Sequence, residues 1–377
     1  MKKVVVGLSG GVDSAVSAYL LLKQGYEVIG LFMRNWDSAA NNDILGNPSL
    51  DDEICPQEQD YQDALKVANH LGIKLHRHDF IKEYWDYVFS YFIDEYKKNR
   101  TPNPDILCNK YVKFAGFQEV AKSLGADYFA YGHYARVKEE NGEFFLLKGK
   151  DNNKDQSYFL SQLTQEQLSK SLFPVGELDK SEVRKIALEN DLPTARKKDS
   201  TGICFIGERD FKNFLKNYIF SKPGEIHTLN GEILGHHDGL MYYTIGQRKG
   251  LNIGGDNRFK NAPWFVVGKD IDNNVLLVGQ GLNNPYLFSN RIIVEDINWI
   301  SKKCFEGTLE CKAKFRYRQE DQVCLIQWID EDLIEVITNK PIRAVTPGQA
   351  CVFYDDEVCL GGGTIKEVYQ NQKKMMY

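Results

Sequence analysis

The sequence has no apolar run approaching the ~18 residues that a bilayer-crossing helix needs. Its opening, Met1-Lys2-Lys3-Val4-Val5-Val6-Gly7-Leu8, holds only a short apolar stretch. A secretory h-region takes ~7 residues or more, so a buried first strand and a cytoplasmic chain with no membrane partner are expected. None of the 8 cysteines forms a Cys-x-x-Cys pair, which excludes zinc-ribbon and thioredoxin-type spacing and leaves no dedicated protein metal site to expect. In a cytosolic chain most of these thiols are expected in the core. Neither G-x-x-x-x-G-K-[ST] nor G-x-G-x-x-G occurs, so Walker-type and dinucleotide-type phosphate loops are absent. A charge of one sign is missing too: 47 Lys and Arg against 52 Asp and Glu give −5. Any RNA contact must therefore come from local basic patches. No internal repeat is present, and a composition of 42% hydrophobic and 26% charged residues excludes a disordered or fibrous chain.

What is present is a change of texture along 377 residues, a length that suits two or three domains at roughly 150 residues each. The first part alternates strand and helix patterns: Val4–Leu8, then Asp13–Gln24 stopped by Gly25, then Glu27–Met33. Asp60–Leu71 follows, stopped by Gly72, then Lys74–Phe80 and a helical Lys82–Arg100. Thr101–Asp105, with two prolines, is expected to be non-helical. A helix to Leu124 and a strand Asp127–Tyr134 complete the series. Such alternation predicts an α/β domain with a doubly wound parallel sheet over 1–210. Beyond it, short alternating runs punctuated by Gly, Asn and Asp predict a small central β domain over 211–285 and a C-terminal β-barrel over 286–377. Residues 37–57 are polar and Asn/Asp-rich and read as a loop.

Ser9-Gly10-Gly11-Val12-Asp13-Ser14 joins the first strand to the first helix. Two glycines let the backbone approach a ligand, the helix start offers unpaired N–H groups, and the hydroxyls add donors. This predicts a nucleotide phosphate site over Gly7, Leu8, Ser9, Gly10, Gly11, Val12, Asp13 and Ser14, with Mg²⁺ carried by the phosphates and Asp13 in reach of it. Two thiols sit in punctuated loops. Cys108 follows Asn103-Pro104-Asp105-Ile106-Leu107 and is expected just before a helix start, where thiolate is favoured. Cys204 lies within Asp199-Ser200-Thr201-Gly202-Ile203-Cys204-Phe205-Ile206-Gly207. A lone cysteine is most often a small core residue, but core cysteines seldom lie among Pro, Asp and Gly.

The hexapeptide resembles the pyrophosphate loop of ATP pyrophosphatases. Together with Thr101–Asn109, Gly132-His133-Tyr134, Lys154-Asp155-Gln156-Ser157-Tyr158-Phe159-Leu160, Asp199–Gly207, Gly246-Gln247-Arg248-Lys249-Gly250-Leu251 and Thr346-Pro347-Gly348-Gln349, it makes the chain resemble the tRNA-specific 2-thiouridylases over nearly its whole length. The resemblance implies an ATP-dependent sulfurtransferase that adenylates O2 of uridine-34 in the tRNA anticodon loop and replaces it with sulfur. Cys204 matches the persulfide carrier, Cys108 its disulfide-forming partner and Asp105 the acid/base position. Met33 and Gly132 match contacts to adenine and ribose. Asn103, Pro104 and Asp105 match the residues around the flipped uridine. His133, Lys154, Asp155, Gln156, Arg316, Tyr317 and Gln349 match tRNA contacts. The sulfur is implied to come from a sulfur-relay protein or a cysteine desulfurase. Only residues 37–57 have no counterpart, and Cys55 reads as structural or incidental.

Lys312-Ala313-Lys314-Phe315-Arg316-Tyr317-Arg318 alternates strictly, which on a strand puts four basic side chains on one face. That face is either solvated or a phosphate contact, and Arg196-Lys197-Lys198 offers the same choice. His236-His237 is not read as a metal pair, because adjacent strand residues point to opposite faces. Two other readings compete with the thiouridylase one. An ammonia-using ATP pyrophosphatase leaves the two loop thiols unexplained, and a silent RNA-binding protein predicts that neither thiol matters.

Overall fold

Val4, Val5 and Val6 are fully buried, as the central strand of a parallel sheet covered on both faces requires. The computed structural model describes residues 1–199, 202, 206–254, 262–301 and 307–377. Strand β1 (Lys3–Gly7) runs into helix α1 (Val12–Lys23), followed by β2 (Glu27–Arg34), α2 (Pro56–Leu71) and β3 (Lys74–Asp79). Two long helical runs come next. The first, α3, joins Ile81–Tyr84, Trp85–Phe89 and Ser90–Lys97; the second, α4, joins Pro104–Leu107, Cys108–Gly116 and Phe117–Ser123. The middle piece of each is wound more widely, with i→i+5 bonds such as Ser90 N–H to the Trp85 carbonyl and Phe117 N–H to that of Val112. Strand β4 (Tyr128–Ala130), the hairpin β5 (Ala135–Glu140) and β6 (Glu143–Lys148), α5 (Gln165–Ser169), β7 (Ser171–Leu172) and α6 (Lys180–Glu189) complete this part.

The sheet order is β3-β2-β1-β4-β7, every pair parallel. The order reverses between β1 and β4, so the crevice beyond their carboxyl ends is the topological switch point, where ligands of such sheets bind. Gly25 and Gly72 end their helices with φ of +84° and +67°, as expected of C-terminal glycines. Residues 37–57 form turns, with no strand or helix before Pro56.

One expectation fails at Thr101–Asp105. The helix begins at Pro104, because a proline at the first helical position gives up only an N–H that would be unpaired anyway. Cys108 therefore lies a full turn inside α4, its N–H bonded to the Pro104 carbonyl. The field of unpaired N–H groups invoked to favour its thiolate belongs to the preceding turn.

A short helix α7 (Phe211–Lys216) leads to β8 (Gly224–Thr228), β9 (Ile233–His237), β10 (Trp264–Asp270) and β11 (Val275–Gln280), ordered β10-β11-β8-β9. Beyond them run β12 (Phe288–Trp299), β13 (Thr308–Lys314), β14 (Gln322–Trp328), β15 (Leu333–Arg343), β16 (Ala350–Asp355) and β17 (Val358–Gln370). These pair as β12-β15-β14-β13-β16-β17, and β12 also pairs with β17, which closes a barrel. The β5–β6 hairpin joins this sheet through β6 and β17, so the first part of the chain is stitched directly to the last.

The basic stripe is not one strand face. Strand β13 ends at Lys314 and the chain turns from Phe315 onward. Lys312 pairs with Asp356, Lys314 with Asp155 and Asp321, and Arg316 donates to the Ile245 carbonyl and the Thr346 hydroxyl. Local carboxylates, a carbonyl and a hydroxyl pair three of these four cations, Lys312, Lys314 and Arg316.

Candidate active site

The loop after β1 sorts its side chains by direction. Leu8 and Val12 turn into the core, 2% and 3% exposed, and Ser14 is buried as well, while Ser9, Gly11 and Asp13 keep exposed surface. Gly10 has φ +75°, and a Cβ there would fall 2.3 Å from the Asp60 carbonyl oxygen of α2. Only glycine fits. The Ser14 hydroxyl donates to the Gly11 carbonyl (3.1 Å) and accepts from the Ser9 N–H (3.2 Å), which rounds the loop. No side chain caps the N-terminus of α1, so its first N–H groups remain available to an anion.

Across the switch point stands Gly132, where a Cβ would lie 2.9 Å from the Ser14 backbone nitrogen. Met33 closes the other side, its methyl carbon 3.8 Å from where a Cβ on Gly7 would be. Apart from the side chains of Leu8 and Val12, the expected nucleotide residues thus converge on one crevice.

The reading of the sequence missed its charges. Lys180 puts Nζ 2.7 and 2.8 Å from the two carboxylate oxygens of Asp13 and 2.8 Å from Asp199. The Tyr134 hydroxyl also donates to Asp13 (2.7 Å). Asp199 further pairs with Lys154 and Arg184, both at 2.8 Å. Partial burial opposes ionisation of Asp199, but its hydrogen bonds from Lys154 and Lys180 prevail and hold the carboxyl down at about 2. A signal was there: Lys180 is the first residue of α6, where a cation opposes the helix dipole and needs another reason to be present.

The residues expected around the target base gather at the start of α4. Asn103 flanks the helix without capping it, and its side chain lies near the Tyr158 hydroxyl, which donates to the Ala350 carbonyl (3.0 Å). Pro104 and Asp105 form the first turn, and Asp105 is close enough to Tyr317 to act on its hydroxyl electrostatically. Tyr317 packs on Phe159 at 4.4 Å between ring centroids. Gln349 donates to the carbonyls of Thr101 (2.8 Å) and Pro102 (3.2 Å), so the barrel itself grips the strap before α4. Asp155 is buried and accepts from the N–H groups of Gly149 and Ser157, while the Gln156 side-chain oxygen accepts from the Tyr134 N–H. His133 is buried beside Phe114, Tyr131 and Phe173, and burial, assisted by the Lys113 charge, holds it neutral. Of the proposed tRNA contacts, Arg316, Gln349, Asp155 and Gln156 spend hydrogen-bonding groups on the fold.

Cys108 is completely buried. Cys204 lies outside the described residues, and so does any distance between the two thiols. Among the described residues no cluster of His, Cys, Asp or Glu is built to hold a metal. Both oxygens of Asp13 face Lys180. No helix among the described residues is long and apolar enough to cross a membrane.

Three family models match in succession: a tRNA methyl transferase HUP domain over residues 2–208, a tRNA methyl transferase PRC-barrel domain over 212–280 and an aminomethyltransferase beta-barrel domain over 289–365. The chain is 58% identical to the tRNA-specific 2-thiouridylase MnmA of Acholeplasma laidlawii over 376 residues, covering 100% of this chain and 99% of that one. The chain belongs to the tRNA-specific 2-thiouridylase family. A second member, tRNA-specific 2-thiouridylase MnmA 1 of Geobacillus kaustophilus, is 59% identical over 367 residues, 97% of this chain and 96% of that one. A third, from Bacillus cereus, is 54% identical over 375 residues, 100% of this chain and 97% of its own length. Family membership agrees with the parallel sheet and its phosphate-type loop, and with a β-barrel at the C-terminal end.

Proposed function

We propose that the chain converts uridine-34 of tRNA to 2-thiouridine in the cytoplasm, consuming ATP and a persulfide. Near-complete coverage at 58% identity to a 2-thiouridylase carries this reading. The residues fit each step. ATP, a substrate brought in with Mg²⁺, lies with its phosphates on Ser9–Ser14 and its nucleoside toward Met33 and Gly132. Uracil O2 attacks the α-phosphorus, and the electron pair of the broken P–O bond leaves with pyrophosphate. The activated C2 accepts sulfur while the former O2 departs on AMP. The sulfur arrives as the outer atom of a persulfide on Cys204. Its gain of two electrons is matched by oxidation of Cys108 and Cys204 to a disulfide, which an external dithiol then reduces. Asp105, at the start of α4, handles the proton, Asn103 and Pro104 line the base, and His133 belongs to the tRNA contacts. The Cys108–Cys204 disulfide needs the two Cα atoms within ~7 Å, with Cys108 itself completely buried.

The division of labour follows: residues 1–210 adenylate and thiolate, 286–377 contact tRNA with Tyr317 nearest the base, and 211–285 link the two. Lys154, Asp155, Gln156, Arg316 and Gln349 then shape the tRNA surface mainly by holding its segments in place. The match to a tRNA methyl transferase domain favours a second reading, but methyl transfer has no need of a pyrophosphate loop. Mass spectrometry of anticodon nucleosides after incubation with ATP, Mg²⁺, unmodified tRNA and a persulfide separates the two. Sulfur in place of O2 supports thiolation; an added methyl group or an unchanged nucleoside refutes it.

A further inference from the structure

Residues 37–57 contain no regular element before α2, yet they are firmly held from within. Asp43 is fully buried and accepts from Arg209 through Nε (3.0 Å) and Nη2 (2.7 Å), and from Trp36 Nε1 (2.9 Å). The Gly46 carbonyl accepts the Asp210 N–H (2.9 Å), and the Asn217 side chain bonds both the N–H and the carbonyl of Leu45. Apart from Trp36, these grips come from the stretch of chain that follows Cys204.

The outer side of the same segment is apolar. Ile44, Leu45, Leu50 and Ile54 are each about half exposed, and Phe220, three residues beyond Asn217, is fully in solvent. Large apolar side chains exposed on segments bonded to each other, as Asn217 is to Leu45, mark an interaction surface. The adjoining Asp51, Asp52 and Glu53 are exposed and make no ion pair among the described residues. An acidic rim repels a phosphate backbone, so tRNA is a poor occupant. A protein with an apolar centre and a basic rim complements it.

We infer that this face docks the protein that delivers persulfide sulfur to Cys204. The inference rests on the sulfur-transfer reading above. In the transfer the Cys204 thiolate attacks the outer sulfur of the donor's persulfide. The donor S–S bond breaks, the donor leaves as thiolate, and the outer sulfur remains on Cys204 with no net oxidation. Anchoring through Arg209 and Asn217 fixes the docked donor relative to the chain just beyond the acceptor thiol.

The test compares two sulfur sources on wild type, Ile44→Lys, Phe220→Glu and an Asp51→Lys/Asp52→Lys pair. One source is a cysteine desulfurase charged with L-cysteine; the other is glutathione persulfide, which needs no docking. All the altered side chains point to solvent, and the small-molecule arm reports whether each variant is folded. Loss of roughly tenfold or more in tRNA thiolation with the protein donor, the size expected of an interface anchor, together with wild-type rates from glutathione persulfide, is the expected result. Equal rates from both sources in every variant overturn the docking surface. So does an equal loss from both, or a loss of tRNA affinity, or a dimer that Phe220→Glu dissociates. A wild-type protein that thiolates with neither source overturns the function itself, and the inference with it.

Discussion

Replacing Gly132 with alanine tests the phosphate crevice at its tightest point. The added carbon would meet the Ser14 nitrogen at 2.9 Å, the Asp13 carbonyl carbon at 3.1 Å and the Asp13 Cβ at 3.3 Å. Two of these atoms are backbone at the start of α1, where a flexible side chain cannot step aside. The chain after β4 or the phosphate loop must retreat by several tenths of an ångström. Overpacking of this kind costs about 1–3 kcal/mol. Where the retreat opens the cradle, the same energy appears as roughly 5- to 150-fold weaker MgATP binding. Titration calorimetry with MgATP measures it, with thermal unfolding run in parallel. Gly142→Ala is the control: its φ is +77° with nothing within 4 Å of the added carbon, so it should cost stability without touching ATP affinity. A Gly132→Ala protein that binds MgATP within twofold of wild type, at an unchanged melting temperature, would refute the crevice as the nucleotide site.

Arg209→Ala leaves the carboxylate of Asp43 buried without its bidentate partner, and chemical denaturation should show a loss of about 3–5 kcal/mol; no loss would mean the 37–57 segment is not anchored as described. Burial pushes Lys269 down to about 7, with its Nζ donating to the Asn99 carbonyl. The folded state therefore holds fewer protons than the unfolded one between pH ~7 and ~10.5, and stability should rise with pH across that window by up to about 1.4 kcal/mol per unit. Lys269→Met should abolish the rise, read as the denaturation midpoint at pH 7.5 and 9.5. His237 is held neutral mainly by burial, accepting the Gly239 N–H at Nδ1 and, through Nε2, donating to the Asn274 carbonyl. Its folded value is lowered, so it stabilises fully above about 6.5 and the contribution fades as pH falls; His237→Gln should flatten stability between pH 7 and 5.

The parallel sheet was legible because β1 is an unbroken apolar run and because Gly25 and Gly72 sit where left-handed helix stops belong. The phosphate loop was legible for the same local reason, since a strand, two glycines and a helix start are adjacent in sequence. What a local pattern could not show was which groups meet across the fold. Lys180 and Asp13 are 167 positions apart, and their pairing depends on α6 packing beside α1. The basic stripe misled because strict alternation continues through Lys314 into a turn, so the period-2 rule outlived the strand. Thr101–Asp105 misled because proline forbids a helix interior but favours its first residue. Gln349 could be matched to a motif, yet that it clasps Thr101 and Pro102 required the barrel to be in place.

The account stands or falls on Cys108 and Cys204 acting together on one activated base. The most direct measurement is single-turnover thiolation of unmodified tRNA with ATP, Mg²⁺ and glutathione persulfide, read by nucleoside mass spectrometry for wild type, Cys108→Ser and Cys204→Ser. The prediction is 2-thiouridine from wild type only, while both variants still bind tRNA and MgATP, Cys108→Ser losing no more stability than replacement of a buried thiol explains. A full yield of 2-thiouridine from either variant would contradict it.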